Sequence, residues 1–137
     1  MKVIGLNFDK ISVERLKDKA ENIHIKTNID ISEIRKIESD LLKTKSELIE
    51  ARFSYGVQYD PEYAKIDLGG RAILSLDPDQ ASDVIKEWKK KQMPEKFRIF
   101  LFNVIIRKAS IKCLNLEDEL NLPLHLPLPT LKPQKEK

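Results

Sequence analysis

The chain has 137 residues, 41% of them hydrophobic and 34% charged, with 25 lysines and arginines against 22 aspartates and glutamates for a net charge of +3. That length suits one domain, and that apolar content suffices for a buried core, which excludes an intrinsically disordered chain. Charges of both signs are interspersed, so the one-sided basic excess of a dedicated nucleic-acid binder is missing.

Lys2 to Leu16 reads as extended. Ile4, Leu6 and Phe8 alternate with polar neighbours, then Ile11 and Val13 alternate on the other parity. The switch at Asp9-Lys10 predicts either a bulge in one long strand or a turn between two short ones. Lys17 to Asn22 is polar and reads as a loop. Ile23, Ile25, Ile29 and Ile31 then share one face at period two, a second strand. From Ile31 the period changes: Ile34, Ile37 and Leu41 recur every three to four residues. Ser32–Thr44 therefore fits a helix or an extended edge with a long polar turn, and we read a strand followed by an irregular or helical connector.

Glu47 to Leu76 carries the clearest pattern. Phe53, Tyr55, Val57 and Tyr59 alternate with Arg52, Ser54, Gly56 and Gln58. Asp60-Pro61-Glu62-Tyr63 makes a turn, and Ala64, Ile66, Leu68, Ala72, Leu74 and Leu76 follow. The pattern predicts an antiparallel hairpin with one buried and one wet face. Gly69-Gly70 is expected to mark a bulge or sharp bend.

Asp77 or Asp79 can cap a helix beginning near Gln80, with Val84, Ile85 and Trp88 inward and Lys86, Lys89, Lys90 and Lys91 mostly outward. Glu95 to Leu114 reads as a longer helix with an apolar stripe of Phe97, Phe100, Leu101, Val104, Ile105 and Cys113. Ile99, Phe102, Ile106 and Ile111 widen that stripe almost all the way round. A helix apolar on most sides needs cover on most sides, and one sheet covers only one. The remainder implies a partner, another copy of the chain or a bound peptide. Four prolines between Pro123 and Pro133 exclude helix and central strand, so Leu122 to Leu131 is extended, with its leucines expected to lie along an apolar surface. Domain organisation follows: one domain over residues 1–131 and a frayed tail over 132–137.

Motifs for catalysis are missing. There is no phosphate loop, no dinucleotide fingerprint, no metalloprotease helix and no nucleophile elbow. One cysteine, Cys113, makes neither an internal disulfide nor a zinc site, and its apolar setting reads as core. His24 and His125 are isolated in sequence and read as ordinary surface residues. Glu117, Asp118 and Glu119 read as a solvated turn that caps the approach to the tail or offers a partner an acidic contact. No enzyme and no cofactor are expected. No segment reaches the roughly 18 apolar residues that span a membrane, and no signal-peptide layout opens the chain, so a cytoplasmic protein without membrane insertion is expected.

The elements run in the order extended segments, long hairpin, two helices, Leu/Pro tail, and in this order the chain resembles the SecB family of protein-export chaperones. Ile4 to Glu14, with Asp9 to Ser12, is similar to that family's opening strand, and Ile25 to Asp30 to its second. Glu50 to Leu76 with Gly69-Gly70 is similar to its third and fourth strands. Leu101 to Ser110 resembles its main helix and Leu122 to Leu131 its proline-rich end. The likeness spans residues 3–131 and rests on pattern and order.

It implies an α+β fold, a four-stranded antiparallel sheet with two C-terminal helices on one face, assembled as dimers or tetramers. It also implies a groove that holds unfolded or extended polypeptide. Trial contact residues are Phe53, Tyr55, Val57 and Tyr59 on the hairpin and Phe97, Phe100 and Phe102 on the helix, since aromatics bury large areas at little entropic cost. SecB proteins are strongly acidic and dock an export motor through that acidity; this chain is basic, so the resemblance does not carry over motor docking. A different class of function, a small interaction or RNA-binding subunit, would use Lys86, Lys89, Lys90, Lys91, Lys96 and Arg98 on phosphates, with Trp88 stacking on a base.

Overall fold

The computed structural model describes residues 1–19, 21–38 and 46–134. Strands β1 (Lys2–Arg15), β2 (His24–Ile37), β3 (Glu47–Asp60) and β4 (Ala64–Leu76) are followed by helices α1 (Pro78–Trp88) and α2 (Glu95–Glu119). The strands form one antiparallel sheet in the order β1-β4-β3-β2. The expected α+β architecture is therefore present.

The two first strands occupy opposite edges, with the β3–β4 hairpin between them. Residues 16–23 must cross three strand spacings, roughly 14 Å, which so short an extended link can reach. The hairpin turn anchors this crossing: the backbone N–H groups of Leu16 and Lys17 both donate to the Tyr63 carbonyl, at 2.8 and 3.3 Å. Arg15 adds a second anchor. Its guanidinium lies 5.7 Å from the Tyr63 ring centre and donates to the carbonyls of Lys17, Asp18 and Leu120.

Period-two alternation on β3 and β4 sorts side chains as expected. Ile49, Ala51, Phe53, Tyr55, Val57 and Tyr59, with Ile66, Leu68, Ala72, Leu74 and Leu76, turn toward the helices and are buried. The opposite face carries an ion-pair ladder across all four strands. Glu50 meets Arg35 at 3.3 Å and Arg71 at 3.8 Å, and Asp9 meets Arg52 at 3.3 Å and Arg71 at 3.9 Å.

The strands contain three register shifts, one of them between Val3 and Gly5, and the other two account for the parity changes. In β1 the register against β4 slips between Phe8 and Lys10, leaving Asp9 as the extra residue of a single long strand. In β2 it slips between Ile31 and Glu33, with Ser32 extra. That one insertion makes Ile31 and Ile34, three apart in sequence, share the buried face, so a strand imitates a helical period. Residues 32–37 are strand; residues 39–44 of the expected connector lie outside the described residues. The glycine pair is corrected: β4 keeps an unbroken register against β3 through Gly69 and Gly70, and the bulge sits opposite, on β1. A Cβ on Gly70 would collide with the Asn7 carbonyl oxygen, so glycine there permits the close approach of β1.

Asp77 caps α1, Pro78 takes its first turn, and the Gln80 side chain accepts a bond from the Asp77 N–H at 3.4 Å, a capping box. Helix α2 buries Phe97, Leu101, Ile105, Ala109, Cys113 and Glu117, a strict four-residue spacing. Such a row winds slowly about the helix axis, so α2 lies obliquely over the sheet. Its first half closes one apolar cluster with α1, Ile31, Ile34 and Phe53. Its second half closes another with Tyr55, Tyr59, Tyr63 and Leu122.

The helix runs five residues beyond the expected Leu114. It ends in a Schellman stop: Asn121 adopts a left-handed φ of 53°, the Leu122 N–H donates to the Glu117 carbonyl at 2.8 Å, and the Asn121 N–H to the Asp118 carbonyl at 3.4 Å. Among the tail leucines only Leu122 is buried; Leu124, Leu126, Leu128 and Leu131 are exposed. The expectation that they line an apolar surface is not met within one protomer: beyond His125, whose side chain is buried, the described chain is exposed.

Candidate functional site

Helix α2 presents opposite faces of very different use. Against the sheet it buries the row just described. Directly opposite, another four-residue row exposes Ile99 (50% accessible) and Ile111 (60%), with Ile106 (41%) on its flank. The apolar excess between residues 99 and 106 thus does remain at the surface of a single protomer. Along the side of α2 next to edge strand β1 runs a groove of about 520 Å³. Leu6, Phe8, Ile11 and Ile111 supply its apolar surface, and Lys108 and Lys112 its charge. Ile11 is 48% exposed there, because β1 extends past the cover α2 can provide.

The trial polypeptide contacts divide by depth. Phe53, Tyr55, Val57 and Tyr59 are buried beneath α2 and form its bed, and Phe97 is buried on the sheet-facing side of α2 itself. The alternation that aligned them on one face is the alternation a core requires. Phe100 and Phe102 are half-buried at the edge of the first cluster. Sequence reasoning omitted Ile11 and Ile111, although Ile111 had been placed on the widened stripe.

The six trial phosphate contacts, Lys86, Lys89, Lys90, Lys91, Lys96 and Arg98, are all exposed, and none has a carboxylate partner among the described residues. Trp88 is half-buried against the first cluster. The Lys91 ammonium stands 4.8 Å from its ring centre, occupying a face that a base would need.

A polar cluster that sequence reasoning missed lies under the end of α2. Glu117, expected in a solvated turn, is fully buried, and so is the side chain of His125, expected at the surface. The Tyr59 hydroxyl donates to Glu117 Oε2 and lies 2.8 Å from the Pro123 carbonyl. The His125 backbone N–H donates to Oε2 at 3.2 Å, and its Nδ1–H to Oε1 at 2.8 Å. His125 Nε2 is buried without a hydrogen-bond partner among the described residues. That geometry places a proton on Nδ1, facing the Glu117 carboxylate. Burial, then the bond to Glu117, pushes the Tyr59 phenol far above its ordinary value. Burial and the Glu117 charge push the neighbouring Cys113 thiol up to about 12. The cluster fixes the root of the tail and offers no open face to a substrate.

Among the described residues no three His, Cys, Asp or Glu side chains are grouped to hold a metal ion, and no helix is long and apolar enough to cross a membrane. No protein-family model matches the chain, and no curated protein matches it. Among solved structures it is similar to the Mycobacterium tuberculosis Rv1957 SecB-like chaperone in complex with a ChAD peptide from the Rv1956 HigA1 antitoxin, with a TM-score of 0.50 and 13% identity over 98% of this chain and 92% of that one. At that identity the likeness is one of architecture: the chain has a SecB-like α+β fold.

Proposed function

We propose that the protein is a SecB-like holdase of the cytoplasm, binding unfolded or extended polypeptide as a dimer or tetramer. The carrying observation is the apolar surface that a single protomer leaves open: Ile99, Ile106 and Ile111 on α2 and Ile11 on β1. A client segment would pack on these side chains and on half-buried Phe100 and Phe102. Edge strands β1 and β2 each leave one row of backbone groups unpaired, which an extended client can bond. Phe53, Tyr55, Val57 and Tyr59, as the bed of α2, and Phe97, on its buried side, reach a client only when the helix lifts. The fold neighbour's bound peptide supports the reading by analogy of architecture.

The test is light scattering of a chemically denatured client on dilution, with and without equimolar protomer. Suppressed scattering that is lost on changing Ile106 and Ile111 to serine is expected. Unchanged client aggregation would overturn the reading, and a strict monomer by static scattering would remove its oligomer.

A second reading, contact with RNA phosphates, is favoured by the six cations around the end of α1 and the start of α2, which have no carboxylate partner among the described residues. It calls for RNA binding that weakens steeply with salt. The Lys91–Trp88 contact weighs against base stacking.

A further inference from the structure

The two sides of the sheet differ in how their cations are paired. On the face away from the helices, Lys26, Arg35, Arg52, Lys65 and Arg71 all meet carboxylates. Along the chain from Lys89 to Leu116 eight cations accompany one carboxylate, Glu95, with Asp79, Asp83 and Glu87 before that stretch and Glu117, Asp118 and Glu119 after it. The β1–α2 groove shares that bias. Its only charged side chains are Lys108 and Lys112, one helical turn apart, mutually repelling and with no ion-pair partner among the described residues.

We propose that this groove selects extended polypeptide segments in which carboxylates alternate with large apolar residues. This deepens, and rests on, the holdase reading. Lys108 and Lys112 are spaced by about 6 Å of helix rise. Every second residue of an extended segment points the same way at a spacing of roughly 6.7 Å. Two carboxylates at i and i+2 therefore match the two ammonium groups. The intervening apolar side chains turn the other way, toward Leu6, Phe8 and Ile11 on β1. A nucleic acid fits less well: no aromatic ring in the groove is free for stacking, since Phe8 packs edge-on against Phe53 with ring centres 6.1 Å apart.

The test is fluorescence anisotropy of dye-labelled synthetic 12-residue peptides with the full chain. A peptide alternating glutamate and leucine is expected to bind at least tenfold tighter than its lysine–leucine and glutamate–serine counterparts. K108E alone and K108E/K112E together should erase or invert the preference, with the fold checked by circular dichroism. K108E is the control for folding, because Lys108 is exposed. Equal binding of acidic and basic peptides overturns the proposal, and so does acidic-peptide binding that K108E/K112E leaves untouched. It also falls if the lysines capture single-stranded RNA or anionic vesicles in preference to the peptide. A change in self-association with peptide binding intact would assign the groove to a second copy. Client aggregation suppressed without acid preference sinks this proposal alone; no suppression of any client sinks the holdase reading beneath it.

Discussion

His125 Nδ1 lies 2.8 Å from Glu117 Oε1, with both side chains fully buried, and this pair ties the root of the proline-rich tail to the last turn of α2. A carboxylate in a helix's final turn opposes the helix dipole, so Glu117 is held by its donors rather than by its position. Removing one partner of such a pair leaves the other buried and uncompensated. His125→Phe is expected to cost about 3–5 kcal/mol. Glu117→Gln, which retains an acceptor for Tyr59, should cost less, about 1–3 kcal/mol. Urea denaturation measures both. Limited proteolysis should show faster cleavage beyond Asn121 in each variant, and an equally protected tail would mean that Leu122 alone anchors it.

Gly70 and Gly69 are adjacent but not equivalent. A methyl group at Gly70 meets the Asn7 carbonyl at impossible range, whereas one at Gly69 meets Lys10 Cβ at 3.5 Å, an ordinary contact. Gly70→Ala must push β1 off β4 and should destabilise by about 1–3 kcal/mol or more. Gly69→Ala should change stability far less. Hydrogen exchange would locate the Gly70→Ala damage in β1; equal effects at both positions would refute the close-approach account.

How much of this was legible follows from range along the chain. The β3–β4 hairpin was readable because its alternation and turn lie within one stretch. The two bulges were readable only as parity shifts, and the one at Ser32 produced a false helical period. The apolar excess on α2 was visible as composition, and Ile99, Ile106 and Ile111 are indeed exposed. Which strand aromatics lay beneath the helix was not visible, because a core face and an open face share one alternation. The Glu117–His125–Tyr59 cluster was hidden for another reason. The Schellman stop folds His125 back over Glu117, and Tyr59 arrives from 58 positions away. The one local signal was Asn121 followed by Leu122 after a helical run.

Glu50 sits on the solvent face of the sheet, yet its side chain is only 9% exposed because Arg35 and Arg71 cover it. Both arginines are about half exposed and stay hydrated if the carboxylate is lost. Glu50→Gln should therefore cost about 1–2 kcal/mol, the range of a charge-assisted bond without an orphaned buried partner. Asp9→Asn, at an exposed position, should cost under about 1 kcal/mol. Thermal melts at low and high salt would check this, since the Asp9 contribution should fade with salt more than that of Glu50.

Cys113 supplies a readout of folding from the alkaline side. Its thiol is buried in the second apolar cluster and pushed up to about 12, first by burial and then by the Glu117 charge. The unfolded chain releases this proton at about 8.5–9. Between those values the folded state holds a proton that the unfolded state has lost, so stability is complete below about 8.5 and falls as pH rises toward 12. The raised Tyr59 phenol acts in the same direction at higher pH. Cys113→Ala should shrink the alkaline loss, at the cost of a small cavity. Iodoacetamide at pH 8 should label the wild-type thiol only as fast as the protein opens, because the reactive thiolate is absent from the folded state. Labelling as fast as in a denatured control would show that the thiol is neither buried nor raised. Stability that holds level from pH 8 to 11 would show the same for both groups.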